Sequence, residues 1–155
     1  MAPGWVVDLL GSAGFEAHRC DPSEAESLLW GKLVVSCGIN ALTALLRIPN
    51  GELVARPDAA DLMVRAAVEC AAVACAKGIE LPFSDPAERI KDVARRTASN
   101  KSSMLQDVLR GAPTECEAIN GAVMREGIRL GVPTPINEVL WRLMRATERT
   151  KELHR

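Results

Sequence analysis

The stretch from Leu29 to Leu46 constrains the fold of this chain most strongly, because almost all of its side chains are apolar. Lys32 and Asn40 stand out in it as polar residues, and Ser36 lies midway between them. In an α-helix, residues at i, i+4 and i+8 project from nearly one face, with a drift of about 40° per step. Burying a cation, a hydroxyl and an amide along such a line costs free energy unless each finds a partner. A bound substrate can be that partner.

Composition and charge indicate a single soluble globular domain. The chain has 155 residues, of which 48% are hydrophobic and 25% charged, so it can bury a sizeable core. Its 19 basic and 20 acidic residues give a formal net charge of -1, so no general field attracts nucleic acid or an anionic membrane. No uninterrupted apolar run reaches the roughly 18 residues that span a bilayer, and the N-terminus lacks the order of a signal peptide. We therefore expect a cytoplasmic protein without nucleic-acid or membrane partners.

The cysteines are predicted to be reduced thiols, three of them among apolar residues, rather than metal ligands or redox groups. Their number is odd and no two of them form a C-x-x-C pair. His18 and His154 are too few and too far apart to form a zinc site, so no metal is expected. The five cysteines are Cys20, Cys37, Cys70, Cys75 and Cys116.

Apolar periodicity and helix-start signals predict an all-α, multi-helix bundle with six or seven helices. Asp21-Pro22 and Asp85-Pro86 each place an acceptor at the N-cap and a proline in the first turn. Pro57-Asp58 opens a helix that is apolar nearly all round. Phe15 to His18 alternates and is the one candidate strand, without a second strand to pair with. The other helices are predicted at Trp5 to Ala13, Ser103 to Arg110, Thr114 to Leu130 and from Asn137 onward.

Local signals also predict how these helices begin, bend and end. Gly38 is a candidate break or bend in the long apolar helix, and Pro49-Asn50-Gly51 is expected to form a turn whose glycine permits a positive φ. Thr114 and Glu117 have the spacing of a capping box, and Asn137 is the expected N-cap of the last helix. The residues of the last helix predicted to face inward are Val139, Leu140, Leu143 and Met144.

The residues by themselves leave two roles open for each polar member of the candidate site. Lys32 is either a lysine that reaches past apolar neighbours to solvent or a partly buried ammonium, which is an effective proton donor. Asn40 is either a ligand-binding amide or a satisfied core amide. Glu115 falls in the predicted first turn after Thr114, where it complements the helix dipole, and Ser103 has the position of a helix N-cap.

Seven stretches between about residues 21 and 147 carry a family resemblance. In this order along the chain, they closely resemble the helical C-terminal domain of ketopantoate reductase, also called 2-dehydropantoate 2-reductase, a domain of the 6-phosphogluconate dehydrogenase-like type. No single one of these motifs would suffice, but their order makes the match specific. The stretches are Leu29-Trp30-Gly31-Lys32-Leu33, Gly38 to Leu45, Pro49 to Leu53, Ser102 to Asp107, Pro113-Thr114-Glu115, Ile119-Asn120-Gly121 and Gly131 to Asn137.

The resemblance implies an NADPH-dependent reduction of 2-dehydropantoate to pantoate, a step in pantothenate and coenzyme A synthesis. By this resemblance, Lys32 protonates the developing alkoxide while hydride goes to the ketone carbon. Asn40 and Glu115 then help to hold the substrate, chiefly at its hydroxyl end, and Ser103 helps to hold its carboxylate. The family usually has asparagine where this chain has Ser36, a substrate-binding position with fewer donors here.

The dinucleotide-binding domain with which the family begins has no counterpart in the sequence. None of the 11 glycines forms G-x-G-x-x-G after a strand, so no cofactor-binding residue is assigned to this chain. By the same resemblance, residues 1–20 look like the end of such a domain, and residues 21–155 are the helical domain. We therefore expect no reductase activity from the chain alone, a dinucleotide-binding domain in trans as a partner, and a homodimer.

Two other functions stay open on the sequence. One is a non-catalytic helical dimerisation or ligand-binding module that kept the fold and lost the chemistry. Retention of Lys32, Asn40, Ser103 and Glu115 argues against complete decay. The other is a reductase subunit for a different 2-oxo acid, for which Ser36 is the supporting residue.

Overall fold

The computed structural model describes residues 4–152, and in this range it contains α-helices and no strand. The prediction of an all-α fold is therefore confirmed. The helices are α1 (Gly4–Ser12), α2 (Pro22–Leu46), α3 (Asn50–Ala55), α4 (Pro57–Ala76), α5 (Pro86–Arg96), α6 (Ser103–Arg110), α7 (Asn120–Leu130) and α8 (Pro135–Glu152).

Helix α2 is the centre of the fold, because it packs against each of the six helices that follow it. Val34 and Ala41 on this helix have no solvent-exposed surface. Helix α4 faces it with Met63 and Val73, which are equally buried. One flank of α2 therefore belongs to the core, while the flank that carries Lys32 stays partly open.

The helix starts that the sequence marked with an aspartate and a proline are confirmed. Asp21 Oδ1 accepts a hydrogen bond of 2.9 Å from the backbone N–H of Glu24, which caps α2. Asp85 Oδ1 accepts from Ala87 N at 2.8 Å and from Glu88 N at 3.0 Å, which caps α5. Each side chain satisfies N–H groups that have no partner within the helix.

Helix α2 runs through Gly38 without interruption, so the expected break there is wrong. A Cβ at Gly38 would lie 2.5 Å from the backbone oxygen of Met63 on α4 and would also collide with Ile90 on α5. Gly38 therefore lies where three helices approach one another too closely for a side chain.

The Pro49-Asn50-Gly51 segment begins a helix and does not form the expected turn. The left-handed conformation lies two residues earlier, at Arg47, whose φ of 55° ends α2. Gly51 has no positive φ, but its Cβ would lie 2.6 Å from Cβ of Ala98, and its N–H donates to Ala98 O at 3.1 Å. The motif is therefore a contact between α3 and the loop after α5.

The expected short strand at Phe15–His18 is wrong, because these residues form no ladder and lie in a loop between α1 and α2. A strand needs a partner, and residues 4–152 contain none. Helix α1 itself packs against no other helix in that range. Trp5, Leu9 and Phe15 are accordingly 64%, 58% and 65% exposed. The assignment of residues 1–20 to a preceding domain stays a prediction.

The predicted starts of α7 and α8 are also wrong. Helix α7 begins at Asn120, six residues after Thr114, and the capping box does not form. Helix α8 begins at Pro135, so Asn137 lies inside it. Glu69 of α4 instead accepts from the backbone N–H groups of Ile136 and Asn137, both at 2.9 Å. The donors that a local cap usually satisfies are satisfied here by a carboxylate from another helix.

Helix α8 turns two of its four predicted side chains inward. Leu140 and Met144 are buried at 2% and 0% exposure. Val139 and Leu143 are about half exposed, so the prediction is wrong for these two. The buried pair lies four residues apart on one face, and the exposed pair repeats the same spacing on the neighbouring face.

The cysteines agree with the expected core thiols at three positions. Cys37, Cys70 and Cys116 are buried, whereas Cys20 is half-buried and Cys75 is exposed, and all five are free. Burial raises the pKa of the Cys37 thiol well above its ordinary value. Among residues 4–152 no group of three or more His, Cys, Asp or Glu side chains has the geometry to hold a metal ion, and His154 lies outside these residues.

In the described part of the chain, α2 is the one helix long and apolar enough to cross a membrane by length and composition. The sequence-based count missed it because Lys32 and Asn40 interrupt the apolar run. Half of its most apolar window is buried inside the fold, and the core helix of a soluble protein passes the same test.

Candidate functional site

One cavity of about 280 Å³ collects all five polar residues that the sequence singled out. It lies between the open flank of α2, the first residue of α6 and the segment before α7. Its volume is close to the lower end of the roughly 300 to 1,000 Å³ that is usual for small-molecule sites, which suits a ligand of few atoms. The lining residues are Leu29, Lys32, Leu33, Ser36, Asn40, Ser103, Glu115, Ala118 and Ile119.

Helix α2 supplies Lys32, Ser36 and Asn40 from successive turns of one unbroken helix, as the spacing predicts. Ser36 and Asn40 are half-buried, but Lys32 is exposed, so the expected partial burial of the ammonium is wrong for this structure. Leu29, one turn before the lysine, is itself 67% exposed. No layer of apolar side chains therefore covers the ammonium group.

Ser103 reaches the cavity because its neighbour Ser102 ties α6 to α2. Ser102 Oγ accepts from Leu105 N at 3.1 Å and therefore caps α6, so the N-cap role expected for Ser103 is wrong. The hydroxyls of Ser102 and Thr43 are 2.7 Å apart and both residues are buried. This contact fixes the start of α6 against α2 and leaves the exposed Ser103 hydroxyl on the cavity wall.

Glu115 lies in a turn before α7 and not in the first turn of a helix as expected. Its backbone oxygen accepts from the N–H groups of Ala118 and Ile119, both at 3.0 Å. The N–H of Gly121 donates to Cys116 O, five residues earlier, whereas an α-helix joins residues four apart. The carboxylate of Glu115 is exposed and lines the cavity opposite α2.

The residues on both sides of Glu115 are held by α7 and α8. Thr114 donates to Glu148 Oε1 with its backbone N–H at 2.8 Å and with its hydroxyl at 2.6 Å. Trp141 Nε1 donates to Glu117 Oε2 at 2.7 Å, and Arg125 donates to the other carboxylate oxygen. The hydrogen bond from Trp141, followed by that from Arg125, lowers the pKa of Glu117.

A buried amide network joins the same segment to α2. Asn120 Nδ2 donates to the backbone oxygen of Cys37 at 2.9 Å and to Asn137 Oδ1 at 3.0 Å. Asn137 Nδ2 in turn donates to Ala66 O at 3.0 Å and to Glu69 Oε2 at 2.8 Å. Asn120 and Asn137 are fully buried. The network therefore fixes α7 and α8 against α2 and α4 directly behind the cavity.

The five polar side chains of the cavity have no hydrogen-bond or ion-pair partner among residues 4–152. They are the groups of Lys32, Ser36, Asn40, Ser103 and Glu115. Asn40 is therefore not the satisfied core amide that was its alternative role. A cation, an anion, two hydroxyls and an amide around one partly apolar cavity can hydrogen-bond a small polar ligand.

Sequence reasoning missed the residues that hold this wall in place. Thr43, Asn120 and Glu148 donate to or accept from groups far away in sequence. Among these three residues, only Asn120 had a signal in the sequence, because it belongs to the stretch Ile119-Asn120-Gly121 that resembles a family motif. A polar amide in a stretch that packs into the core must find hydrogen-bond partners. The roles proposed for the five cavity residues themselves stay predictions.

A second cavity, of about 530 Å³, contains none of the predicted site residues. It lies between the start of α2 and the loop after α4, and the basic residue on its wall is Lys77. Lys77 is engaged by Glu126 at 3.2 Å and lies over the ring of Trp30 at 5.6 Å. The cation of this cavity thus already has partners, whereas the polar residues that the sequence singled out line the smaller cavity, so we place the site there.

No cradle for a dinucleotide is present in residues 4–152. Such a cradle joins a strand, a glycine-rich turn and the N-terminus of a helix, and this range has no strand. The residues of the cavity therefore do not fit a nicotinamide cofactor by themselves.

Comparison with known proteins assigns the chain to a family. Residues 24–148 match the family described as ketopantoate reductase PanE/ApbA C terminal. A 2-dehydropantoate 2-reductase from Pyrobaculum aerophilum is 44% identical over 143 residues, which cover 92% of this chain and 50% of that protein. The chain thus spans about half the length of this curated relative.

Solved structures agree with this assignment. The crystal structure of a PanE/ApbA family ketopantoate reductase from Ralstonia eutropha JMP134 is similar with a TM-score of 0.88 and 35% identity, over 95% of this chain and 48% of that one. D-mandelate dehydrogenase with NADH and anilino(oxo)acetate is similar with a TM-score of 0.85 and 28% identity, over 94% and 60%. Because the family match covers most of its length, this chain belongs to the ketopantoate reductase family, in its C-terminal part.

Proposed function

We propose that this chain binds 2-dehydropantoate in the cavity between α2 and the 114–119 segment and donates a proton during its reduction. The observation that carries the proposal is the set of five polar side chains that share this cavity and lack partners among residues 4–152. Ser36 and Asn40 are half-buried, and half-buried polar groups without protein partners favour a site that a polar ligand completes. The family of the chain supplies the substrate class.

The proposed chemistry divides between a hydride and a proton. Reduction of a ketone adds a hydride to the carbonyl carbon and a proton to its oxygen, and this chain provides the proton. Lys32 Nζ is the donor to the developing alkoxide. Because Lys32 is exposed, it can be reprotonated from solvent after each turnover.

The remaining side chains of the cavity orient the substrate in this proposal. The hydroxyl of Ser103 donates to the substrate carboxylate. The ionised carboxylate of Glu115 accepts a hydrogen bond from the substrate hydroxyl. The Asn40 amide forms a hydrogen bond with the same end of the substrate. Ser36 lies between Lys32 and Asn40 and completes the wall with one donor where the family usually has an amide.

The hydride donor is assigned to a dinucleotide-binding domain that is not among residues 4–152. Family resemblance suggests NADPH, while the D-mandelate dehydrogenase structure was solved with NADH. A homodimer and a cytoplasmic location, without nucleic-acid or membrane partners, complete the proposal.

The proposal is tested by reconstitution with the N-terminal half of the Pyrobaculum aerophilum relative. With 2-dehydropantoate and NADPH, the mixture should consume NADPH, and Lys32→Met should reduce the rate by about 100-fold or more, in line with loss of a general acid. Lys91→Met on α5, which removes a partly exposed lysine paired with Glu88 outside the cavity, is the control and should leave the rate unchanged. Absence of turnover while both parts are folded would contradict the catalytic role.

A second candidate is a reductase of another 2-oxo acid. Ser36 departs from the family pattern at the cavity wall, and D-mandelate dehydrogenase is a structural relative that binds anilino(oxo)acetate. The shorter serine leaves more room than asparagine beside Lys32, which favours a bulkier substituent. Rates of the reconstituted enzyme with 2-dehydropantoate and with phenylglyoxylate, before and after Ser36→Asn, separate the two candidates. Unchanged preference would remove the support for this one.

A binding measurement without any turnover distinguishes the non-catalytic helical module from a substrate-binding domain. Pantoate titrated into the chain should shift NMR signals of residues around the cavity. No shift at millimolar pantoate would favour a module without a substrate site.

A further inference from the structure

Side chains of later helices hold the residues on both sides of Glu115. The segment forms no regular helix from Thr114 to Ile119, and the backbone oxygen of Glu115 is held on its C-terminal side by the N–H groups of Ala118 and Ile119. The side chain of Glu115 has no hydrogen bond or ion pair of its own with residues 4–152. The position of its carboxylate must therefore be set through its neighbours.

Glu148 on α8 contacts the residues on both sides of Glu115. One of its oxygens, Oε1, accepts both the N–H and the hydroxyl of Thr114. The other oxygen, Oε2, lies 4.0 Å from Sγ of Cys116, which is itself buried. Consecutive Cα atoms are about 3.8 Å apart, so anchoring residues 114 and 116 leaves Glu115 little freedom to move.

We propose that Glu148 is a positioning residue that holds Glu115 in the geometry needed for ligand binding. The proposal rests on the proposed function, because it takes Glu115 to bind the hydroxyl end of the substrate. A carboxylate that accepts two donors at 2.8 and 2.6 Å makes charge-assisted bonds, which are stronger than bonds between neutral groups. Glu148 is half-buried, so solvent weakens these bonds less than at an exposed site.

A second anchor, at Glu117, cannot replace the first. Glu117 is held by Trp141 and Arg125, but it lies two residues after Glu115 and fixes only the far side. Without Glu148, the near side would be attached through Pro113 to the loop after α6. Glu115 would then keep only its backbone hydrogen bonds to Ala118 and Ile119, and residue 114 would lose its anchor to α8.

The test is NMR titration of the whole chain with pantoate as the probe. Glu148→Ala should weaken binding by about fivefold or more, because a charged acceptor is lost, whereas Glu148→Gln keeps an acceptor oxygen for Thr114 and should restore most of the affinity. Glu138→Ala, which removes an exposed carboxylate paired with Arg142 on the same helix, is the matched control and should leave binding unchanged. The amide signals of residues 114–117 should broaden or shift in Glu148→Ala alone.

A double-mutant cycle distinguishes positioning from general destabilisation. If Glu148 acts through Glu115, then Glu148→Ala should add no further loss of affinity in a Glu115→Ala background. Thr114→Val removes the hydroxyl that donates to Glu148 and leaves α8 unchanged. It should reproduce part of the loss of pantoate affinity seen in Glu148→Ala.

The outcomes separate this inference from the proposed function. If the unmodified chain does not bind pantoate, the proposed function is wrong and this inference falls with it. If the chain binds pantoate and Glu148→Ala binds equally well, only the role of Glu148 is wrong. Additive losses in the cycle would likewise show that Glu148 acts elsewhere.

Discussion

Arg47 shows at the scale of one residue how packing overrides a local signal. The glycine of Pro49-Asn50-Gly51 is the residue best suited to a positive φ, yet Arg47 adopts it with φ 55° and ψ 43°. Gly51 is needed instead where its missing Cβ lets the chain approach Ala98. The prediction that Gly51 is structurally required is consistent with this contact, but the reason is the close approach to Ala98 and not a positive φ.

Arg47→Gly is expected to stabilise the protein. A left-handed residue with a Cβ costs roughly 1 to 2 kcal/mol, which glycine avoids, while the greater freedom of glycine in the unfolded chain offsets part of the gain. We expect a net gain of about 0.5 kcal/mol in the free energy of unfolding, measured by urea denaturation. Arg65→Gly, at an exposed position inside α4, is the control and should be destabilising because glycine is unfavourable in a helix interior.

Glu117 should make stability depend on acidic pH. Its hydrogen bonds to Trp141 and Arg125 lower its pKa below the ordinary 4.5, so the folded state favours the charged carboxylate. This contribution is present above pH 4.5 and is lost as the pH falls through the lowered pKa.

The measurement compares the unmodified protein with Glu117→Gln by denaturation at pH 7 and pH 3. The unmodified protein should be more stable at pH 7, by about 0.5 kcal/mol or less because the group is exposed, and the difference should shrink at pH 3. A difference that grows with acidity would contradict the assigned sign.

At the scale of helices, the predictable parts are those whose signals are local. The starts of α2 and α5 were predicted because Asp21 and Asp85 cap N–H groups two or three residues away. The start of α8 was not, because its acceptor Glu69 lies 67 residues earlier in the sequence. Helical spacing predicted that Lys32, Ser36 and Asn40 share one face, whereas Ser103 and Glu115 were added only by the family resemblance. The supports at Thr43 and Glu148 could not be read from local spacing.

Glu69→Ala should destabilise the protein more than a surface substitution does. It removes the acceptor of three hydrogen bonds, from Ile136 N, Asn137 N and Asn137 Nδ2. The two backbone donors at the partly buried start of α8 then lose their acceptor, while Asn137 Nδ2 keeps Ala66 O. We expect a loss of about 2 to 4 kcal/mol in the free energy of unfolding. Glu80→Ala, at an exposed residue of the loop after α4, is the control, and an equal effect there would argue against the cap.

At the scale of the molecule, the helices from α2 onward form one packed body, and α1 stands apart from it. Helix α2 contacts every later helix, whereas α1 contacts none of the described ones. The core residues belong to segments from Val34 to Met144. The stability of the body should therefore not depend on the first helix.

Removal of residues 1–14 should leave the thermal midpoint unchanged within about 2 °C, because no core contact is lost. Circular dichroism melting of the full and shortened chains measures it. Pantoate binding, followed by the same NMR titration, should also persist. A large drop in the midpoint would mean that α1 packs against the body in solution.

The central place of α2 has a consequence for synthesis on the ribosome. The helix is complete at Leu46, but its partner α8 ends only at Glu152. At translation speeds of about 5 to 20 residues per second, α2 waits roughly 5 to 20 seconds for its last partner. During this interval an apolar helix of 25 residues is only partly covered. The nascent chain is therefore most exposed to aggregation, and most in need of a chaperone, before its second half has emerged.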